Sequence, residues 1–478
     1  AKVLEEWQPR GHSADGDILQ DLNSLRQKSR DLNRNNSYAC GITNTFTFNT
    51  IGSGIKLQSR LNHEKLGLTK EESLKIQEDI ELEWEKWSKD CDIAGRLDFT
   101  EIQTQCVRQI LENGDVFILI HRNKSTAKSK ASIKLQIIEA DRVCNPLGKE
   151  SDPNMRGGIE IGKNGEPLNY YVRNTYPDDT FLHPKPDEFT KIPAFDKSGN
   201  RNIIHLFVQD RPGQNRGVPL FTPVLNLFKI LDGFIESELI SAKVASCFSV
   251  FIKKEDSYGA AMSNSDLVGD QRLQKLEPGR VEYLNEGEEI SGFAGMNRPS
   301  NAFAPFVESI LRSISAGVGL SYELVSQDYS KSNYSSSRSS ILESRKRIQS
   351  YQRFISSKLC QEIFKSVIEI AYLNKNLDLN DFYTKKEDWL TTTWVPNGWK
   401  WIDPKKSAEA AVLSINNGIS SLAEVCASRG VSWEEVLEQQ AKEKKKREDL
   451  GLSSVMATEK TFDDEDDATN EEEETSNE

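Results

Sequence analysis

Arg211-Pro-Gly-Gln-Asn-Arg-Gly-Val-Pro219 is the stretch from which the rest of the chain can be read. It places two prolines and two glycines within nine residues, directly before an apolar run of helical period. Proline fixes φ and glycine frees it, so the segment reads as a rigid turn that aims a helix. A second marker, Asn333-Tyr-Ser-Ser-Ser-Arg338, is serine-rich and nearly uncharged, and it opens a very long helix with a basic flank. Neither segment has the make-up of a catalytic site. Both suit a protein that positions helices around something.

Downstream of the turn, Val224, Leu225, Leu227, Phe228, Leu231, Ile235, Leu239 and Ile240 follow helical spacing. A β-flavoured insert follows: Cys247-Phe-Ser-Val-Phe-Ile252, Leu276 to Leu284, and Glu286 to Ile290. A helix then resumes, with Phe303, Phe306, Val307, Ile310, Leu311 and Ile314 on one apolar stripe. Helix, small β module, helix predicts two helices side by side with the module projecting from their shared end. From Ser335 to Leu373 there is no Pro or Gly, which allows a helix on the order of 57 Å if straight. Trp389, Trp394, Trp399 and Trp401 predict a compact aromatic junction, and Asp403-Pro404 caps a further helix. Short helices follow over 420–430 and 432–446.

Upstream of the turn the pattern is α+β. The run Tyr38 to Leu57 is rich in Thr, Phe and Ile and closes at Gly52-Ser-Gly54, which predicts a strand and turn. Helices are expected over 69–88 and 100–113. Strands are expected over 114–120 and 133–138, and Asn164-Gly165 predicts a hairpin between Gly158–Ile161 and Leu168–Val172.

The formal charge is −13, but Asp463 to Glu478 carries ten acidic residues and no basic one, so the rest of the chain carries only about −3. That balance neither opposes nucleic acid as a partner nor supplies the basic face that a tight duplex grip requires. Seven scattered cysteines without CxxC spacing suit reduced, buried thiols. The five histidines are equally dispersed, so neither a metal site nor a cofactor is expected. No apolar run approaches the ~20 residues needed to span a bilayer. Pro177-Asp178 followed by Glu188-Phe-Thr-Lys191 has one residue too many between Glu and Lys for a metal-dependent nuclease core, and reads as surface loop. Ile51-Gly-Ser-Gly54 lacks a third Gly, no P-loop exists, and the serines of 335–340 have no histidine nearby in sequence. The chain is expected not to be an enzyme.

Four motifs in order carry a resemblance: Arg211-Pro-Gly-Gln-x-Arg-Gly-Val-Pro219, Leu276-x-Pro-Gly-x-Val-x-x-Leu284 with Glu286-Gly-Glu288, Asn333-Tyr-Ser-Ser-x-Arg338, and Asp403-Pro-x-Lys406. Together they closely resemble the portal proteins of tailed bacteriophages, in the lambda-like branch, over about residues 30–451. Two departures are Leu220, where the family often has an aromatic residue, and the basic loop Lys124 to Lys130.

The resemblance implies a portal-type α+β fold, divided into an N-terminal wing (1–220), stem helix 1 (221–246), a β-rich clip (247–299) and stem helix 2 (300–323). A channel loop (324–337), a long helix and wing return (338–400), a helical crown (401–452) and an acidic disordered tail (453–478) complete it. It also implies a homo-oligomeric ring, dodecameric in particles, at the portal vertex of the virion capsid, with the host cytoplasm as the place of assembly. Double-stranded DNA would pass through it during packaging and ejection. Terminase, a head-tail adaptor, and the major capsid and scaffold proteins would be its partners, with no membrane involved. The alternatives are a capsid or tail structural protein without a DNA conduit, and a metal-dependent nuclease.

Candidate channel residues are Tyr329, Lys331, Ser332, Asn333 and Tyr334, one lysine among neutral hydroxyls and amides, as suits DNA that must slide. For both tyrosines, packing against a neighbouring subunit is the competing role. Candidate structural residues are Arg211, Pro212, Gly213, Gln214, Arg216, Gly217, Pro219 and Arg338. The two turn arginines are expected to lock the turn and the adjacent subunit, and Arg338 to pair with a neighbour's acid. Glu286, Glu288 and Glu289 are candidates for docking at the clip, against an equal claim as solvated hairpin charges. The acidic end is expected to repel packaged DNA or capture a partner.

Overall fold

The computed structural model describes residues 11–123, 131–149, 152–176, 188–247, 302–330, 334–399 and 404–451. It also describes short strands at 251–254, 267–268, 271–272 and 288–291. The chain divides into two compact units, Ala1–Asn397 and Gly398–Glu478.

The first unit opens with helices α1 (Ala14–Ile18), α2 (Leu22–Asn35) and α3 (Ser37–Ile51). The expected strand over Tyr38 to Leu57 is therefore corrected to a helix over most of that run, with only β1 (Lys56–Ser59) extended. The reason lies in the spacing: Ala39, Ile42, Thr43, Phe46, Thr47, Thr50 and Ile51 all fall on one buried helical face. Asn36 caps the start by accepting from the Ala39 N–H at 3.0 Å, and the Thr50 hydroxyl bonds back to the Phe46 carbonyl at 2.8 Å. Burial and capping outweigh the modest helix penalty of β-branched residues. After α4 (His63–Leu66), α5 (Lys70–Ser88) and α6 (Phe99–Asn113) form as expected, each opened by a capping box, Thr69 with Glu72 and Asp98 with Glu101.

Next come β2 (Asp115–Asn123), β3 (Ser132–Ile138), β4 (Met155–Arg156), β5 (Ile159–Ile161), β6 (Pro167–Arg173), β7 (Phe189–Pro193) and β8 (Ile203–Phe207). They make two antiparallel sheets, ordered β3-β2-β8 and β4-β5-β6-β7. The expected hairpin is present: the Gly162 N–H donates to the Glu166 carbonyl at 2.8 Å, and Gly165 sits at φ +81. Phe117, Ile138, Val143, Ile159, Tyr170, Val172 and Ile192 form a shared core between the sheets.

A 3-10 turn, Thr222–Val224, leads into α7 (Leu225–Cys247); α8 (Phe303–Val318) follows the β segments. Between them, β9 (Phe251–Lys254) pairs with β12 (Glu288–Ser291), and β10 (Leu267–Val268) with β11 (Gln271–Arg272), all antiparallel. The run Leu276 to Leu284 lies outside the described residues. Phe234 on α7 stacks on Phe303 at 5.6 Å and meets Phe306 at 4.3 Å, while Gly317 at the far end of α8 abuts Val224. The two helices therefore run antiparallel, as the sequence pattern predicts.

Beyond α9 (Tyr322–Ser326), α10 (Tyr334–Ile355) continues through a π turn at Ser356–Cys360 into α11 (Gln361–Leu373). The expected long helix exists, with one over-wide turn where Leu359 and Cys360 are buried. After α12 (Lys386–Trp389), β13 (Thr392–Val395) pairs with β1 and ties this late segment to the N-terminal half. Trp389 and Trp394, the two late tryptophans of the first unit, do not share one junction. Trp394 instead joins Trp84, Trp87, Phe99 and Phe364 in an aromatic cluster, because its strand lies beside β1. Trp389 is buried separately, donating to the Asn380 carbonyl at 3.1 Å. Trp399 belongs to the second unit, and Trp401 lies outside the described residues.

The second unit is helical: α13 (Pro404–Asn416), α14 (Leu422–Ser428) and α15 (Trp433–Asp449). Pro404 begins α13, while Asp403 and the acidic end lie outside the described residues.

Candidate functional site

The Arg211–Pro219 turn is built around two buried side chains, Gln214 and Arg216. Gln214 Oε1 accepts from the backbone N–H groups of Asp210 (2.9 Å) and Arg211 (3.1 Å), and its Nε2 donates to the Arg216 carbonyl (2.9 Å). One amide thus satisfies three backbone groups of the turn. Gly213, at φ +76, takes a left-handed conformation that any other residue adopts at a cost. Gly217 presses against Gly114: a Cβ on Gly217 would sit 2.0 Å from the Gly114 carbonyl oxygen. The Leu220 N–H donates to the Leu111 carbonyl at 2.9 Å, so the turn is bonded to the end of α6. Pro219 is buried, and its carbonyl accepts from Thr222 at 3.1 Å as the chain enters the 3-10 turn. Pro212 is exposed at the tip.

The Arg216 guanidinium, only 2% exposed, reaches inward. Nε donates to Asp115 Oδ2 at 2.6 Å; Nη1 donates to the Val143 (2.7 Å) and Gly157 carbonyls, and Nη2 to the Ala140 carbonyl at 2.8 Å. Its plane lies over Phe117, 5.1 Å from the ring centre. Asp115, fully buried, also accepts from Arg26 Nη2 (2.7 Å) and from the Gly217 N–H (3.2 Å), with His205 Nε2 3.2 Å away. Arg26 donates further to the Asn113 carbonyl (2.9 Å) and to Asp141 (3.3 Å); Asp141 in turn holds Arg30 and accepts from the Tyr176 hydroxyl at 2.7 Å. His205 is sandwiched between Phe117 and Phe207, with ring centres 4.2 and 4.4 Å away.

The electrostatics follow from this geometry. Burial by itself raises the Asp115 carboxyl, but Arg216 and Arg26, with His205, outweigh it and hold the group far below the usual carboxylate range. Burial lowers His205 in spite of its bond to Asp115, so the ring is neutral at pH 7. Burial also lowers Arg26, to about 10. Asp115, Arg216 and Arg26 are buried and bonded to several partners each. The arrangement welds α2, α6, the start of β2, β8 and the turn into one block.

The expected lock on an adjacent subunit is not what Arg216 makes here: its guanidinium bonds within its own chain, in the buried interior. Arg211 is half exposed; its Nη1 donates to Asp17 at 2.6 Å and its Nη2 to the His12 carbonyl at 3.1 Å. Beside it, Asn215 donates to Asp15 through its backbone N–H (2.9 Å) and side chain (2.8 Å). The turn is therefore clasped by α1.

The other candidates are dispersed. Tyr329 is 47% exposed after α9, and Tyr334 opens α10. Lys331, Ser332 and Asn333 lie outside the described residues. Arg338 is half-buried on α10. Glu288 and Glu289 lie on β12 in register with Lys254 and Lys253 of β9, while Glu286 lies outside the described residues. Of the nuclease-like set, Lys191 is paired with Glu160 at 2.9 Å, and Asp178 lies outside the described residues. Among the described residues no group of His, Cys, Asp and Glu could hold a metal ion, and no helix is long and apolar enough to cross a membrane. Cys91, Cys106, Cys360 and Cys426 are buried free thiols; burial pushes the Cys91 thiol up to about 12.

Sequence reasoning found the two arginines but missed Asp115, Arg26, Asp141 and His205. One signal was present: a lone acid, Asp115, opening the apolar strand Val116 to Ile120. A charge there is retained only where it is paired.

A family model described as phage portal protein, lambda family, matches residues 2–352. Portal protein B of Escherichia phage lambda is 26% identical over 477 residues, covering 94% of this chain and 88% of that protein. The portal protein of Escherichia phage N15 is 28% identical over 479 residues, covering 94% and 89%. Among solved structures, a chain from the neck of an empty gene transfer agent particle is similar, with a TM-score of 0.48 and 15% identity. The match covers 90% of this chain and 97% of that one.

Proposed function

The chain belongs to the lambda family of phage portal proteins, and we propose that its copies close into a ring, twelve in the particle, around a channel for double-stranded DNA. The observation that carries this reading is the antiparallel pair α7 and α8. The pair is buried at its base through Phe228, Leu231, Ile310, Leu311 and Ile314. It leaves other large apolar side chains in water: Ile230, Leu239 and Ile240 are each 53% exposed, and Phe306 41%. Covering such side chains is worth roughly 25 cal/mol per Å² of apolar surface. A cyclic arrangement lets every copy cover the next without leaving an open end.

The buried Asp115 block gives the helix pair a rigid mount. The segment from Tyr329 to Tyr334 supplies one lysine and several neutral polar groups per copy, a lining that suits sliding better than gripping. The strands between α7 and α8 are the docking face for a terminase during packaging and for a head-tail adaptor afterwards, with Glu286, Glu288 and Glu289 as the charges offered. Arg338 pairs across to an acid of the neighbouring copy. The particle's portal vertex is the site of action, and the role is mechanical, with no catalytic step. Negative-stain microscopy of the purified protein tests this directly. Closed rings with a central hole are the expected result; monomers or open arcs alone, even with scaffold and shell proteins present, would overturn it.

A further inference from the structure

The second unit carries a charge run that the channel reading leaves unused. On α15, Lys442, Lys444, Lys445, Lys446 and Arg447 place five cations in six positions, interrupted only by Glu443. Lys442 to Lys446 are all exposed, and Arg447 is half-buried. Among the described residues their one ion pair is Lys442 with Glu438, at 4.0 Å and with both side chains largely in water. Lys446 and Arg447 lie in the last turn, where the helix dipole favours cations. That accounts for two of the five. The rest spread around the helix at 100° steps, so nearly every side of this one and a half turns is positive.

The same chain supplies the complement. Ten acidic residues and no basic one lie between Asp463 and Glu478. Eleven residues separate Gly451 from Asp463, and an extended segment of that length reaches about 40 Å. Helix α15, with its 17 residues, is only about 25 Å long. The acidic segment can therefore return to the basic run of its own helix or of a neighbouring copy.

We propose that residues 463–478 dock on the Lys442–Arg447 face of α15 and shield it from the phosphates of nucleic acid. The contact is multivalent and weakly structured, so it is strong at low ionic strength and is screened at high salt. The inference stands on the second unit alone and holds whether or not the chain closes into rings.

The test uses a fluorescently labelled peptide of residues 461–478 and fluorescence anisotropy at 50 and 500 mM NaCl. The full chain should bind it weakly, its site being occupied. The chain lacking residues 452–478 should bind at least tenfold more tightly at 50 mM and lose most of that binding at 500 mM. Adding Lys444→Ala, Lys445→Ala and Lys446→Ala to the shortened chain should return binding to the weak level; alanine keeps the helix, and circular dichroism verifies it. Should that triple variant unfold, Lys445→Glu, a single change at an exposed position, should weaken the peptide severalfold. Equal binding by full and shortened chains, or binding that survives these substitutions, overturns the proposal. So does a shortened chain that binds a 20-base-pair duplex but not the peptide, which would make the run a nucleic-acid site.

Discussion

Asp115 is where the energetics of this chain concentrate. Two guanidinium groups, a histidine and a backbone N–H converge on one carboxylate with no water-facing surface. Removing one arginine leaves its buried partners short of a compensating charge and of hydrogen bonds, which typically costs about 3–5 kcal/mol. Arg216→Ala should therefore lower the urea-unfolding free energy by about 3 kcal/mol or more; a loss under about 1 kcal/mol would show that the block does not hold the turn. Arg211→Ala, at the exposed clasp onto Asp17, should cost under about 1 kcal/mol in the same assay. The pH response has a definite sign. His205 is lowered in the fold, so below its ordinary value of about 6.5 the unfolded chain takes up the proton first and stability falls. Asp115, held low in the fold, adds a further loss only as pH drops beneath about 4. Melting temperature should thus decline from pH 7 to pH 5. His205→Gln, which can still donate to Asp115, should flatten that decline, since one group supplies at most about 1.4 kcal/mol per pH unit. An unchanged slope would remove His205 from the account.

Among the elements, the helix pair α7 and α8 depends on one close approach. Gly317 lets α8 lie against the turn: a Cβ there would meet Val224 Cγ1 at 2.4 Å. Gly317→Ala should separate the base of the pair, destabilise the fold by about 1–3 kcal/mol in denaturant titrations, and reduce assembly. Unaltered stability would mean that Val224 moves aside freely. These helices were legible because their apolar period is long and regular. The segment over 37–51 was not. Its Thr, Phe and Ile content favours a strand locally, and only the neighbouring helices α2, α6 and α10, by burying one face, make the helix the lower state. Trp394 is a similar case: its partner Trp84 lies some three hundred residues earlier, beyond any local pattern.

For the whole molecule, the exposed apolar side chains of α7 predict what holds copies together. Leu239→Asp with Ile240→Asp places charges on a face that the ring reading covers, so closed rings should become rare in negative-stain images while the monomer keeps its melting temperature. Abundant rings from that variant would move the interface elsewhere. The sequence by itself determined the order of the parts: turn, helix, β insert, helix, polar segment, long helix, small helical unit and acidic end. It could do so because period, Pro and Gly punctuation and charge are local properties. Only the tertiary structure decided where the arginines of the turn point and what α3 becomes. Arg216 turns inward because Asp115 and three backbone carbonyls, brought together from distant positions, accept from its guanidinium in the buried interior. Pairing and burial are sums over residues far apart in the chain, and no window of sequence contains them.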